Sequence, residues 1–187
     1  MKNTATVPVS QTEGYDGDEW DTPKALIETV RNFYGASGGI DLDPCSCEAA
    51  QNVVKACEYF SKEDNCLKKR WWGNVWLNPP YSGQNVRLIT AYAIAQYKAQ
   101  RNSDLEILTL VNNCTETQWF RALSEYPVIL SSSRLKYWRE TGEYNSTRQG
   151  QALFYLGKRT SAFFAAFRDF GYAPNMGFET SYFNQTK

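Results

Sequence analysis

Short apolar runs alternate with stretches of helical periodicity along this chain, and that alternation restricts the possible folds more than any other feature. Residues 40–44, 74–77 and 105–111 have the length and apolar content of buried strands. Residues 21–34 precede the first of these runs, residues 85–100 lie between the last two, and both have the pattern of helices. Regular alternation of this kind predicts an α/β fold with a mainly parallel sheet.

The carboxyl-terminal part has more strands and fewer helices. Strands are predicted at residues 127–130, 135–138 and 152–156, and their close succession favours antiparallel pairing. Additional helices are predicted at residues 117–124, at residues 161–170, and in a stretch marked by the helical spacing of Val53, Val54, Cys57 and Phe60.

The composition is that of a single globular domain. The chain has 187 residues, of which 42% are hydrophobic, and this is enough for one core. We expect a flexible leader at residues 1–18, the domain at residues 19–173 and an extension at residues 174–187. No apolar run approaches the roughly 20 residues of a membrane-spanning helix, and the leader lacks a secretory pattern. The expected location is therefore cytoplasmic.

The chain contains no histidine. This excludes Ser-His-Asp and Cys-His nucleophile systems and any histidine-ligated metal centre. Catalysis by such a chain would depend on carboxylates, amides, hydroxyls or a cofactor that carries the reactive group.

Five cysteines are present, and without a secretion signal we expect them to be reduced. Cys45, Cys47, Cys57 and Cys66 allow a four-thiolate zinc site as one interpretation, but they lack the second closely spaced pair that such sites use. Burial as small apolar residues is the favoured alternative, and no metal is expected.

The charge is unevenly distributed along a chain whose net charge is zero. Residues 1–66 hold 5 basic and 12 acidic residues, and residues 67–187 hold 15 and 8. Such a division allows a positive face that binds phosphates, although charges distant in sequence can equally intermix in space.

The Asn-Pro-Pro-Tyr segment at residues 78–81 is the strongest chemical motif. Two consecutive prolines fix the backbone and remove two N–H donors, so the segment presents acceptors. The Asn78 side-chain oxygen and the Pro79 carbonyl can both accept hydrogens from one amino group, and Tyr81 offers a flat face for a base. A rigid turn that merely ends a strand is the alternative.

This segment matches the signature of amino-methyltransferases, and the whole chain resembles phage-type Dam-like DNA N6-adenine methyltransferases. The resemblance covers about residues 18–172 and includes an ordered set of segments. These are Glu19-Trp20-Asp21-Thr22-Pro23, Ile40-Asp41-Leu42-Asp43-Pro44, Val75-Trp76-Leu77-Asn78-Pro79-Pro80-Tyr81, Thr117-Gln118-Trp119-Phe120, Arg134-Leu135-Lys136-Tyr137-Trp138 and Gln151-Ala152-Leu153-Phe154.

The resemblance implies a Rossmann-like fold and methyl transfer from S-adenosylmethionine (S-adenosyl-L-methionine) to the amino group of a flipped adenine. Asn78 and the Pro79 carbonyl would bind that amino group, Pro80 would shape the segment, and Tyr81 would stack on the base.

The resemblance also implies a set of cofactor contacts. A segment with Trp20, Thr22 and Pro23 would close over the cofactor. Asp41 and Asp43, expected with Pro44 at the end of the first strand, would contact either its ammonium or its ribose hydroxyls. The Gly-x-Gly turn common among methyltransferases is absent, and Cys45-Ser46-Cys47-Glu48 stands in its place.

Candidate DNA contacts are basic residues of the later half. Arg134, Lys136 and Arg139 alternate with apolar residues, as on one face of a strand, while Arg148 lies in a polar loop and Arg87 on the helix after the Asn-Pro-Pro-Tyr segment. Such residues bind phosphates, although a solvated strand face explains the alternation equally well.

The expected partner is double-stranded DNA, with a short or relaxed recognition sequence read by residues 131–150, in a bacterial or phage-infected cell. No membrane and no obligatory protein partner is expected. Two other functions remain open: methylation of protein glutamine or RNA, which the same acceptors would serve, and a non-catalytic nucleic-acid-binding module.

Overall fold

A mixed sheet with helices on both faces positions the residues of interest. The computed structural model describes residues 22–35, 39–81, 84–138, 144–146 and 149–174. Five α-helices lie in these ranges: α1 (Lys24–Tyr34), α2 (Glu48–Val54), α3 (Asn85–Ala99), α4 (Gln118–Leu123) and α5 (Thr160–Ala166). The strands there are β1 (Leu42–Asp43), β2 (Glu58–Tyr59), β3 (Asn74–Leu77), β4 (Glu106–Asn112), β5 (Val128–Ser131), β6 (Lys136–Trp138), β7 (Tyr144–Ser146), β8 (Gln151–Leu156) and β9 (Gly171–Tyr172).

The main sheet joins a parallel half to an antiparallel half. Its strand order is β2-β1-β3-β4-β8-β5-β9. The first four strands are parallel neighbours, while β8 runs antiparallel to both β4 and β5. The expected antiparallel carboxyl-terminal strands are confirmed, but the sheet is not mainly parallel, because three neighbouring pairs of its described strands are parallel and three are antiparallel. A separate two-stranded sheet pairs β6 with β7.

Alternate residues of the central strands bury opposite faces of the sheet. On β3, Val75 and Leu77 belong to a core covered by α3 and α4, whereas Trp76 belongs to a second core covered by α1 and α5. Both faces are buried because crossover helices cover each side of a parallel sheet. The polar residues at the ends of these strands are therefore the ones left available for chemistry.

One helix prediction is wrong beyond its first turn. Val53 and Val54 lie on α2, but the helix ends at Lys55, whose backbone is left-handed with a φ of 51°. The chain then forms the edge strand β2, and the Cys57 N–H bonds to the Ile40 carbonyl. Cys57 and Phe60 therefore have the spacing of helical residues but lie beyond the end of α2.

Two further differences from the prediction lie in the carboxyl-terminal part. The last helix ends at Ala166 instead of residue 170, because a turn leads directly into β9. The polar segment at residues 144–149, which includes Arg148 and was expected to be a loop, contains β7, which pairs with β6.

The prediction that the cysteines are buried is mostly wrong. Cys66 is buried, but Cys47 and Cys57 are exposed, and Cys45 and Cys114 are half-buried. Cys57 is exposed because it follows α2 and precedes an edge strand. Within the described ranges no group of three or more Cys, Asp or Glu residues could hold a metal ion.

No helix in the described part of the chain has both the length and the apolarity needed to cross a bilayer.

Candidate active site

The order of the strands reverses between β1 and β3. From β1 the chain moves outward to β2 and then returns to the other side of β1 as β3. Ligands of open α/β sheets bind at the carboxyl ends of strands where the order reverses in this way. Asp43 and Pro44 lie at that end of β1, and Asn78 and Pro79 follow β3 directly. The structure thus brings together two segments that sequence reasoning selected separately.

The side-chain amide of Asn78 is held at both of its ends. Its Nδ2 donates to Thr22 Oγ1 at 3.3 Å, and its Oδ1 accepts from the Tyr81 hydroxyl at 2.8 Å. In this arrangement the oxygen of the amide faces the Tyr81 hydroxyl and the nitrogen faces Thr22. An amide oxygen has two lone pairs, so Oδ1 retains acceptor capacity, and the half-buried Asn78 is partly accessible. Thr22, expected to close over a cofactor, is itself buried beside Asn78.

The hydroxyl of Tyr81 is directed into the protein. Besides Asn78 Oδ1, it lies 3.2 Å from the Leu110 carbonyl and 3.3 Å from Gln151 Oε1. The half-buried ring packs against the core on the α3 side. Tyr81 therefore braces Asn78, in addition to any stacking by its ring.

Sequence reasoning missed the role of a buried glutamine behind this pair. Gln151 has 0% exposure, and its Oε1 accepts from the Tyr137 hydroxyl at 3.3 Å while its Nε2 donates to Asn112 Oδ1 at 2.6 Å. Burial raises the pKa of Tyr137, so its hydroxyl keeps its proton. A polar residue at the start of an otherwise apolar strand was the available signal.

Asp43 is a buried carboxyl group with neutral hydrogen-bond donors around it. It is 3% exposed, Gln51 Nε2 donates to its Oδ2 at 3.1 Å, and the Cys45 N–H lies 3.4 Å from its Oδ1. Burial raises its pKa to about 6, against the lowering effect of bonds from Ser46, Cys45 and Gln51. Gln51 was also missed, although it holds both Asp43 and Ser46.

Asp41 does not join this group. It precedes β1 instead of ending it, so placing it at the carboxyl end of the strand is wrong. Its Oδ2 accepts from the Asn74 N–H at 2.8 Å, at the start of β3. Gly73, with a φ of 64°, has no room for a side chain, because a Cβ there would lie 2.3 Å from Asp41 Oδ2. Asp41 thus joins the beginnings of two strands.

The basic candidates that the structure describes are on the surface. Arg87 is exposed near the start of α3, Arg134 is exposed just before β6, and Lys136 is exposed on β6 next to the buried Tyr137. This agrees with the predicted alternation along that strand. Trp20, Arg139 and Arg148 lie outside the described residues.

Two cavities of about 290 Å³ each lie elsewhere on the molecule. One is bordered by Tyr126, Val128 and Phe164, and the other lies at the amino ends of the strands beside Glu106 and Arg159. Neither is lined by Asn78. Residues 1–21, 36–38 and 82–83, which adjoin the candidate site in sequence, are not among the described residues.

Comparisons with known proteins point to a single family. A family model described as DNA N-6-adenine-methyltransferase (Dam) matches residues 9–163. A DNA N-6-adenine-methyltransferase of Escherichia phage T1 is 39% identical to this chain over 107 residues, which are 55% of this chain and 39% of that protein. The chain therefore spans less than half the length of that relative.

Proposed function

Because the chain belongs to the DNA N-6-adenine-methyltransferase (Dam) family, as the match over residues 9–163 shows, we propose that it methylates adenine N6 in double-stranded DNA. The resemblance inferred from the ordered motifs is confirmed by this family match. We propose S-adenosylmethionine as the methyl donor and a Rossmann-like methyltransferase domain over residues 19–173. The place of action would be the cytoplasm of a bacterial or phage-infected cell, where its DNA substrate lies.

One observation carries the proposal: the Asn78 amide is fixed at the point where the strand order reverses. The contacts to Thr22 and Tyr81 hold the amide in place before any ligand arrives. Preorganised acceptors of this kind contribute to rate because they need no rearrangement during the reaction.

The acceptor end of the reaction follows from the Asn-Pro-Pro-Tyr segment. Asn78 Oδ1 and the Pro79 carbonyl would each accept one hydrogen of the adenine amino group. The nitrogen lone pair would then be directed away from the ring plane, toward the donor side of the crevice. Pro80 would keep the segment rigid. The base must leave the duplex to reach these groups, and the Tyr81 ring would stack on it.

The donor end would use residues at the end of β1 and before α1. When bound, S-adenosylmethionine supplies a methyl group on a positively charged sulfur. Its ammonium and ribose hydroxyls are hydrogen-bond donors, and the Asp43 carboxylate is an acceptor fixed by Gln51 at the crevice. The residues present therefore fit this group. Pro44, Thr22 and Pro23 would line the site with Trp20, and Cys45-Ser46 would replace the missing glycine turn.

The DNA would be held by basic side chains around the crevice. Arg87, Arg134 and Lys136 are exposed, and we propose that they contact phosphates together with Arg139 and Arg148. Binding should weaken steeply with salt, because each phosphate contact releases counterions. Residues 131–150 would read a short or relaxed recognition sequence.

The test is transfer of a labelled methyl group from S-adenosylmethionine to separate DNA, RNA and protein acceptors. We expect label on adenine N6 in DNA, its loss in Asn78→Ala, and nearly unchanged donor binding in that variant. Asn102→Ala, in an exposed turn after α3, is the matched control and should methylate normally. Label confined to RNA or protein, or full turnover in Asn78→Ala, would overturn the proposal.

A further inference from the structure

Behind the Asn-Pro-Pro-Tyr segment, the side chain of Gln151 lies within hydrogen-bond distance of two tyrosine hydroxyls. The hydroxyls of Tyr81 and Tyr137 bring two hydrogens to this region. Gln151 Oε1 is an acceptor that both can reach, at 3.3 Å from each. The single hydrogen of the Tyr81 hydroxyl has three acceptors in reach, which are Asn78 Oδ1 at 2.8 Å, the Leu110 carbonyl at 3.2 Å and Gln151 Oε1 at 3.3 Å. The shortest contact places this hydrogen on Asn78 Oδ1, while Gln151 Oε1 accepts from Tyr137 and lies against the Tyr81 oxygen.

The position of Gln151 is itself tightly determined. It pairs with Asn112 across the β4–β8 ladder, and the two side chains are joined from Nε2 to Oδ1 at 2.6 Å. Its backbone N–H donates to Ser131 Oγ at 2.8 Å. With the side chain fully buried, water cannot replace these partners, so the amide is a rigid support.

We infer that Gln151 is a positioning residue of the proposed reaction, whose fixed Oε1 limits where the Tyr81 hydroxyl can lie and thereby sets the position of the acceptor oxygen of Asn78. This inference rests on the proposed methyl transfer and adds to it a residue that would touch neither the base nor the donor. It acts through the chain of contacts from Asn112 and Tyr137 to Gln151, then to Tyr81 and Asn78.

Gln151→Met removes both hydrogen-bonding functions at similar volume. We expect kcat to fall by about 10- to 100-fold, since misplacement of a reacting group by about 1 Å costs a factor of this size. The KM for DNA and the affinity for the donor should stay within about threefold of wild type, because Gln151 would contact neither ligand.

Gln151→Glu supplies a second variant with a pH-dependent outcome. The introduced carboxyl group, when neutral, can accept from both tyrosines and donate to Asn112, whereas its ionised form sets a carboxylate oxygen against Asn112 Oδ1. Burial disfavours the ionised form. The ratio of variant to wild-type kcat should therefore be near one at low pH and fall as pH rises, with circular dichroism recording the folded state throughout.

Gln96→Met is the matched control. Gln96 is a half-buried glutamine on α3 whose Oε1 also accepts two hydrogen bonds, from the Trp71 N–H and Gln100 Nε2. Its loss should lower stability but leave kcat unchanged. If Gln151 had only a structural role, substitution of either glutamine would lower stability and leave kcat unchanged.

A measurement without turnover separates this inference from the proposed function. The side-chain amide resonance of Asn78, identified by its loss in Asn78→Ala, should shift in Gln151→Met and stay in place in Gln96→Met. Absence of DNA methylation by wild type would overturn the proposed function, and the resonance would still test the contact chain. An unmoved Asn78 resonance, or wild-type kcat in Gln151→Met, would overturn the role of Gln151.

Discussion

The Tyr81 hydroxyl donates a hydrogen bond of 2.8 Å to Asn78 Oδ1. The two residues are separated in sequence only by two prolines, which prevent the backbone from adjusting. The tyrosine of this segment therefore combines a ring that can stack with a hydroxyl that orients the acceptor amide. The two contributions can be separated by substitution.

Tyr81→Phe keeps the ring and removes the hydroxyl. We expect kcat to fall by about fivefold, because one neutral hydrogen bond contributes about 1 kcal/mol and about 1.4 kcal/mol is a factor of ten. Tyr81→Ala should lose more, since base stacking adds about 1–3 kcal/mol. Single-turnover rates with saturating DNA and donor measure both. Equal rates for Tyr81→Phe and wild type would show that the hydroxyl does not orient Asn78.

The buried Asp43 should make stability depend on pH. Its folded pKa of about 6 lies above the ordinary value of 3.8, so between these values the unfolded chain binds fewer protons and stability falls as pH rises. The free energy of unfolding should fall by roughly 3 kcal/mol in total, because each unit of pKa difference corresponds to about 1.4 kcal/mol. This fall is nearly complete above about pH 6. The difference in unfolding free energy between wild type and Asp43→Asn, measured by urea titration from about pH 4 to 7, should follow this curve. A flat difference would mean that Asp43 ionises freely.

Donor binding should release a proton if Asp43 faces the ammonium of S-adenosylmethionine. A nearby positive charge favours the carboxylate and lowers the pKa from about 6. Calorimetric titration at about pH 6 in two buffers of different ionisation enthalpy measures this release, and Asp43→Asn should abolish it. Binding without proton release would place Asp43 against the neutral ribose hydroxyls or outside the donor site.

The elements that were predicted correctly are those whose local pattern has one interpretation. The strand at residues 74–77 is apolar and ends at two prolines, and α3 is long, rich in Ala and free of Gly and Pro. The error at Cys57 and Phe60 has a specific cause. A left-handed residue at Lys55 ended α2, and lysine gives no warning of this, since glycine and asparagine are the residues that usually do so.

The site was predicted where one short segment contains its chemistry and missed where the fold assembles it. Asn78 and Tyr81 are in one motif, so their proximity follows from the sequence. The support behind them comes from Asn112, Tyr137 and Gln151 on three different strands, and no linear spacing reveals that convergence. Asp41 and Asp43 look equivalent in sequence, yet β1 is two residues long and places them at opposite ends.

Asp41 should behave as a structural residue. Asp41→Ala leaves the Asn74 N–H without the acceptor that it now has at 2.8 Å, at a cost of about 1–3 kcal/mol. Thermal unfolding should show the lower midpoint, while donor affinity measured below that midpoint stays within about twofold of wild type. Gly73→Ala should give the same pattern, because its φ of 64° and the nearby Asp41 leave no room for a side chain. A tenfold loss of donor affinity in folded Asp41→Ala would return Asp41 to the cofactor site.

Thr109 offers a stabilising substitution in the core. The residue is fully buried on β4, and none of the described residues gives its Oγ1 a hydrogen-bond partner. Valine has nearly the same shape and no hydroxyl, so Thr109→Val removes an uncompensated desolvation cost and should raise stability by about 1 kcal/mol. Thr90→Val is the control, since the equally buried Thr90 hydroxyl donates to the Val86 carbonyl at 2.7 Å. Calorimetric unfolding should place Thr109→Val above wild type and Thr90→Val at or below it. A lower midpoint for Thr109→Val would mean that the hydroxyl has found a partner in solution.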